Sequence, residues 1–528
     1  MANPYVIGGF LRFVPDWAGV IGRGLRVGGV LAAVVLVGCA GGPRKATDDR
    51  AAFAREDGNA GLRITAAERL WVDAAEREAL RPQLTRMAWD RQLATGLRVR
   101  ALALLLDDTG AAAQPANASL ARLMLPTEEE PDVVRLLSTA SAAGGWLEVS
   151  DGLVRRLNRP LFGFEETGGR LEDRPEAVAL RRLHSGADLR DVVFGVFLSD
   201  SEPEGAPSTL RWSERARSDS WSLLADLDPR GEYRRAALSR PLPDGTAAEV
   251  VSTVADLKAA ATELRSMPLA DAELAWLASL REQGESHRRW WGETASVVSG
   301  LSGGKAGTLR LRHLEPVRWA AAEKPEWIAA DRAALLAELD RRIGDRTRHT
   351  RRAEVGSVGS RLRSRERLDD WASEMSWADA LALLVVDEAV RSEAVRGRLP
   401  GIARVDRRDT GTEYGGLIEA DGASTGGFRL KLYPPRYRDR IGDNAFIASE
   451  DLIANSDHAV AHFHMQVQRV NNNRFAGPSP GDLEYTRLSG RTAVVFTSVG
   501  KNAMNVDVYW DGEKIVDLGE VRTDGAGG

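Results

Sequence analysis

The sequence has a single cysteine, Cys39, in 528 residues, which rules out a disulfide framework within the chain. Histidine is nearly as scarce at seven residues, so any cluster of histidines carries information. An excess of one charge sign is also missing. The 71 Lys+Arg stand against 76 Asp+Glu, a net charge of −5, and this gives no electrostatic case for nucleic acid or an anionic membrane surface as the main partner. The most basic run, Arg346 to Arg367, has no aromatic residues interleaved for base stacking and reads as a solvated linker and helix face. No apolar run reaches the roughly 20 residues of an ordinary membrane-spanning helix. A G-x-x-x-x-G-K-[ST] phosphate-binding loop is absent, so "LSGGK", from Leu301, counts only as a glycine-rich loop.

What is present begins at the amino terminus. Arg23 and Arg26 precede the short apolar run "VGGVLAAVVLVGC", which ends in Leu36-Val37-Gly38-Cys39. This order resembles the signal sequence and lipobox of bacterial lipoproteins. The resemblance implies cleavage before Cys39, lipid (palmitate among it) on the mature chain at Cys39, and a protein of the bacterial cell envelope tethered to a membrane and facing the periplasm. A plain secretory signal with an accidental cysteine is the other reading. An anchoring role for the lone thiol makes thiolate catalysis and cysteine-ligated zinc unexpected.

Composition then divides the chain into a signal at 1–38, a small, polar tether at 39–60, an α-helical domain at 61–200, a second helical region at 201–357 and a carboxy-terminal domain at 358–528. From Leu62 to Val395 helical spacing dominates. In "LTRMAWDRQLATGLRVRALALLL", Trp89, Leu93 and Leu97 follow at intervals of four. Segments beginning at Pro131, Pro175 and Arg332 have the same character, and Pro or Gly punctuates most of them, as in a degenerate array of helical pairs. "SDSEPEGAPS", from Ser199, reads as an exposed connection. Ser376 and Asp379 form a capping box ahead of one more helix. Beyond Arg404 the period changes to two. "GGFRLKLY", "RTAVVFTSV" and "MNVDVYW" read as strands, and Asp511-Gly512 is a hairpin signal. The expectation is a mainly α-helical body followed by an α/β or α+β domain of about 150 residues.

In that domain "AVAHFHMQVQRV" alternates, so Ala461, Phe463, Met465 and Val467 take one face and His462, His464, Gln466 and Gln468 the other. Residues two apart on a strand are separated by about 6.6 Å, close enough for two imidazoles to converge on one ion. Downstream, Ser479, Pro480 and Asp482 carry the signature of a helix start, which is sufficient by itself to explain them. Upstream, Glu413 enters an apolar stretch through Gly415 and Gly416, where missing side chains permit close backbone approach.

Glu413-x-x-Gly416-Leu417, His462-x-His464 and Ser479-x-x-Asp482 together, with a helix and two strands after them, resemble the JAMM (JAB/MPN) metallopeptidase domain over roughly Trp377 to Val521. The resemblance implies an α/β domain with a mixed sheet, zinc (Zn2+) held by His462, His464 and Asp482, Glu413 as general base and Ser479 as an orienting or oxyanion-stabilising donor. Two imidazoles and a carboxylate leave a zinc position open for water, whose proton a nearby carboxylate accepts. Gln466 and Gln468 would contact substrate or orient ligands. The sequence departs from the family at Met465, where proline is usual, and in a longer interval between His464 and Ser479.

The function expected is a membrane-anchored, zinc-dependent hydrolase acting on a protein or peptide through its peptide or isopeptide bonds. The alternative is a lipoprotein scaffold whose helical body binds a protein partner, with a non-catalytic carboxy-terminal domain. A third reading leaves both histidines simply hydrogen-bonded on a sheet face.

Overall fold

The computed structural model describes residues 46–523, except 56–57, 162–163, 165–167, 205, 207, 283, 351–364, 422–426, 441 and 443–445. The expected signal, Cys39 and most of the basic run therefore lie outside the described residues. The molecule is mostly helical, with a mixed sheet near its carboxyl end. Among the described residues no helix is long and apolar enough to cross a membrane.

Two compact units divide between Ala187 and Asp188. The first is helical throughout its described length, and its helices start and stop where local chemistry dictates. Asn59 and Asp73 cap helices with their side chains, Pro131 and Pro175 occupy first helical positions, and Gly145 in the left-handed region ends the helix Pro131–Gly144. The periodic stretch from Leu84 to Leu106 spans two helices, Ala74–Trp89 and Thr95–Asp107. Asp90 breaks it by leaving the helical region and accepting the Gln92 amide at 2.9 Å on its own carboxylate, which hydropathy spacing does not register. Buried ion pairs tie these helices together. Arg98 joins Glu128, each side chain 3% exposed, and removing either partner of such a pair costs about 3–5 kcal/mol.

The second unit holds the remaining helices and the sheet. The 200/201 boundary expected from composition falls inside it, and the helices of 201–357 share this unit with the carboxy-terminal strands. Its core is rich in tryptophan: Trp276 and Trp290 meet edge to face at 5.7 Å, and Trp291 and Trp371 are also buried.

Six strands, β1 (Gly415–Asp421), β2 (Gly427–Leu432), β3 (Ala459–Gln466), β4 (Ala493–Gly500), β5 (Ala503–Trp510) and β6 (Lys514–Arg522), form one sheet in the order β2-β1-β3-β4-β5-β6. Only β3 and β4 run parallel, joined across the sheet by a helix; every other neighbouring pair is antiparallel. Asp511 (φ 54°) and Gly512 (φ 79°) both take the left-handed region in the three-residue turn, Asp511 to Glu513, that joins β5 to β6.

Helices α1 (Leu314–Glu323) and α2 (Trp377–Arg391) pack against the sheet, and the crossover helix α3 (Pro480–Ser489) packs along β5. Leu483 of α3 packs on Ala493, Val495, Tyr509 and Ile515. The ladder aligns His462 with Ala493 and Tyr509, and His464 with Val495, Asp507 and Asp517, so both histidines share the side of the sheet that α3 covers. α2 carries the expected capping box: Ser376 and Asp379 exchange hydrogen bonds, and the second Asp379 oxygen binds Arg312 and His313.

Candidate functional site

The alternation of β3 sets the histidine spacing, but the face opposite its apolar residues is covered rather than wet. His462 and His464 are each 3% exposed. Gly415 stands opposite His464 and Gly416 opposite Phe463. A Cβ on Gly415 would lie 2.4 Å from the Phe463 carbonyl and 2.7 Å from the Phe446 ring, and one on Gly416 would lie 2.0 Å from the Lys431 carbonyl. The two glycines thus let β1 nest between β2 and β3, and leave room for Phe446 to stack parallel to the His464 ring at 6.3 Å.

Two of the expected groups converge on His464. Its Nε2 lies 3.5 Å from Asp482 Oδ1 and 3.9 Å from Glu413 Oε2. Both separations exceed a normal hydrogen bond, and this buried Nε2 has no hydrogen-bond partner among the described groups. On the other side of the ring, Nδ1 meets Tyr509 Oη at 3.2 Å. Burial and the charge of Asp482 hold the Tyr509 phenol well above its ordinary pKa, so it stays neutral.

Asp482 serves two purposes. Its Oδ2 accepts the Ser479 amide at 2.7 Å, and the Ser479 hydroxyl accepts the Asp482 amide at 3.3 Å, closing the capping box that starts α3. Its Oδ1 is the oxygen nearest His464. The helix-start reading and the site reading of these residues therefore coexist. Glu413, 4% exposed, is steadied from the far end of β3. Gln468 Nε2 donates to its Oε1 at 2.7 Å, and Gln468 Oε1 in turn accepts from Asn472 at 2.9 Å. Gln466 is buried, with its side-chain oxygen lacking a partner among the described groups.

His462 stands apart from this cluster. Its Nδ1 meets Tyr485 Oη at 2.6 Å and its Nε2 meets Ser456 Oγ at 3.0 Å. The Ser456 hydroxyl hydrogen is already given to the Leu452 carbonyl at 2.8 Å, so Ser456 accepts from Nε2–H. A neutral ring then receives the Tyr485 O–H at Nδ1. Burial, followed by the nearby Arg491, pushes the His462 pKa well below the usual imidazole range, in keeping with a neutral ring. Both nitrogens are thereby engaged.

Among the described residues no group of three or more His, Cys, Asp or Glu stands in a metal-holding arrangement. Two donors nonetheless fit. Ligands at 2.0 to 2.2 Å from a tetrahedral ion lie about 3.4 Å from each other, which is close to the His464–Asp482 separation and unlike a hydrogen bond. Protonation of His464 at Nδ1, donating to Tyr509, leaves an Nε2 lone pair for such an ion.

Sequence reasoning missed Tyr485, Ser456 and Tyr509. Tyr485 was within reach, because it follows Asp482 by three residues and so shares its helix face. Tyr509 comes from across two strands, and only the register supplies it. The other histidines have partners of their own: His287 meets Asp457 at 2.8 Å, His313 meets Asp379 at 3.0 Å, His349 meets Glu520 at 2.6 Å, and His184 meets Ser150 at 2.9 Å. His458 lies 3.6 Å from Asp457.

No family model, curated protein or solved structure matches this chain.

Proposed function

We propose that the carboxy-terminal domain is a JAMM-like hydrolase of peptide or isopeptide bonds that works with one divalent cation, zinc by the resemblance. The observation that carries this reading is the buried, unpartnered Nε2 of His464, 3.5 Å from Asp482 Oδ1 and flanked by Glu413. His464 and Asp482 would hold the cation, and His462 joins them only by giving up the bond of its Nδ1 to Tyr485. When bound, zinc acts as a Lewis acid on a carbonyl and brings the pKa of a water down to about 7. Glu413 accepts a proton and returns it to the leaving amine, and Gln468 fixes the direction of its carboxylate. The Ser479 hydroxyl, which caps the amino-terminal end of α3, would donate to a developing oxyanion, and the helix end favours the same charge. Tyr509 orients the His464 ring.

The Leu36-Val37-Gly38-Cys39 pattern supports a lipid anchor at Cys39 and a place in the bacterial cell envelope, with a protein or peptide substrate on the periplasmic side. Metal analysis of purified protein tests the site. One equivalent of zinc, lost in His464→Ala and in Asp482→Ala, is expected; zinc unchanged in both variants overturns the reading.

A second reading, a lipoprotein scaffold with a non-catalytic JAMM-like domain, is favoured by one feature. The two hydroxyl bonds of His462 withhold one of the three ligands implied by the resemblance. Glu413→Gln separates the two. Retained metal with lost cleavage supports the hydrolase, whereas unchanged partner binding and phenotype support the scaffold.

A further inference from the structure

A cavity of about 380 Å³ in the second unit is lined by five arginines, Arg230, Arg234, Arg235, Arg265 and Arg310, and by no Asp or Glu. It uses none of the residues of the hydrolase site, so the two stand or fall separately. Five guanidinium groups converging on a small concave space repel one another unless an anion or local carboxylates compensate them.

Local compensation is incomplete. Arg234 is fully buried and serves as a wall: it donates to the Pro268 carbonyl at 3.0 Å and the Asp228 carbonyl at 3.2 Å, and lies 3.5 Å from the Asp228 carboxylate. Burial lowers its pKa to about 10, which still leaves it charged at neutral pH. Arg235 donates to the Arg230 carbonyl at 2.8 Å and Arg310 to the Pro229 carbonyl at 3.3 Å, bonds that fix position without cancelling charge. Among the described residues, Arg234 is the one arginine of the five with an ion pair. Arg230 and Arg265 are exposed at the surface of the cluster.

Two further observations mark this as a binding site rather than a charged surface. Ser266 lines the cavity, is 3% exposed, and its hydroxyl has no hydrogen-bond partner among the described groups. A buried donor in that position lacks the partner that interiors normally provide. The glycine-rich stretch from Leu301 lines the same space through Leu301, Gly303 and Gly307, while its Lys305 turns to the carbonyls of Ile328 and Ala329. Gly231 contributes room. It sits at φ 69°, where a Cβ would come within 2.7 Å of the Met267 methyl and 3.3 Å of an Arg235 nitrogen.

We propose that this cavity binds the phosphoryl group of a small molecule. Arginine forks match the oxygens of a phosphoryl group in pairs, and an anion of two or more charges balances the cluster better than one carboxylate does. Met267, Val298 and Leu309 offer an apolar surface to the remainder of the ligand. Nucleic acid fits poorly, because no aromatic side chain lines the cavity to stack a base. The phosphoryl group belongs either to a soluble metabolite or to a phospholipid headgroup, and the test separates these.

The full chain carrying Cys39→Ser, which removes the proposed point of lipid attachment, is titrated calorimetrically with inorganic pyrophosphate at low and at high ionic strength, and assayed for flotation with vesicles of phosphatidylcholine alone or with added phosphatidic acid. Saturable pyrophosphate binding, weakened by salt and about 100-fold weaker in Arg230→Ala/Arg265→Ala, is expected from the loss of two charge-assisted contacts. Both positions are exposed, so an unchanged unfolding midpoint in the double variant shows that the loss is not one of folding. Ser266→Ala should weaken binding a few-fold. Phosphatidic-acid capture that the double variant loses, without pyrophosphate binding, supports the site and assigns it to a headgroup. Absence of saturable binding to either probe, or binding that survives in the double variant, overturns the proposal.

Discussion

The two ends of the histidine pair on β3 are built from the same residue on the same side of one sheet, and they have opposite surroundings. His462 is enclosed by the hydroxyls of Ser456 and Tyr485, which match its one donor and one acceptor. His464 has a single hydroxyl, from Tyr509, and faces two carboxylates at distances too long to bond. A matched imidazole contributes to stability, whereas an imidazole with a buried open nitrogen gives up stability that a ligand can restore. Spacing along a strand places two rings together, but the elements that pack over the strand decide what each ring does.

The largest expected effect lies on the open side. Glu413→Gln keeps the shape of the side chain and an oxygen to accept from Gln468, but removes the negative charge and cannot take up a proton. Cleavage of a reporter peptide should fall about 10³-fold, within the 10² to 10⁴ range for general-base removal, with bound zinc unchanged. A variant cleaving at the wild-type rate would sink the role of Glu413.

The matched side should respond in stability instead. His462→Ala leaves the buried Tyr485 O–H without its acceptor, takes from Ser456 the second of its two bonds and opens a cavity between β3 and α3, which together cost about 2–4 kcal/mol. Denaturant unfolding measures this, and metal content should remain near that of the wild type. Zinc lost at unchanged stability would reverse the contrast and make His462 the ligand that the family resemblance implies.

Much of this was legible beforehand, and the limits have physical reasons. The change from helical to strand period, the hairpin at Asp511-Gly512 and the capping boxes at Ser376 and Ser479 are local signals, and each has its counterpart in the structure. The approach of Glu413 and Asp482 to His464 is what the family resemblance implied, whereas the residues themselves announced only a helix start after a two-histidine strand. Three things were not. The break at Asp90 is made by one carboxylate against a sustained apolar period. The fate of His462 depends on Ser456, in the turn before β3, and on Tyr485, one turn into α3, neither marked by composition. The arginine cavity gathers residues from three separate stretches between Arg230 and Arg310, which no window of sequence brings together.

A third buried polar group on the same side of the sheet sharpens the contrast between matched and open. Asp517 accepts the Gly519 amide at 2.7 Å, Asn505 at 3.1 Å and the His349 amide at 3.2 Å, yet burial raises its pKa from 3.8 to about 6. A raised acid favours the folded state below the unfolded pKa, and that contribution is lost as pH rises through the folded value. Unfolding free energy should therefore drop between about pH 4 and pH 6, by up to about 3 kcal/mol from this group. Asp517→Asn should flatten that segment of a stability–pH curve measured by urea denaturation. A variant curve as steep as the wild type's would assign the dependence to other carboxylates.

The smallest expected effect is the most discriminating. Tyr485→Phe removes the O–H that occupies His462 Nδ1 and leaves the ring, its burial and its bond to Ser456 in place. An Nδ1 lone pair without a donor is then available to a cation, and zinc affinity measured by chelator competition should rise about tenfold, the equivalent of ~1.4 kcal/mol. Tyr509→Phe should act in the opposite direction, because it removes the acceptor that holds His464 in the tautomer presenting its Nε2 lone pair. Affinity moving the same way in both variants would mean that the two phenols do comparable work, and the division of the pair into a structural and a reactive histidine would fail.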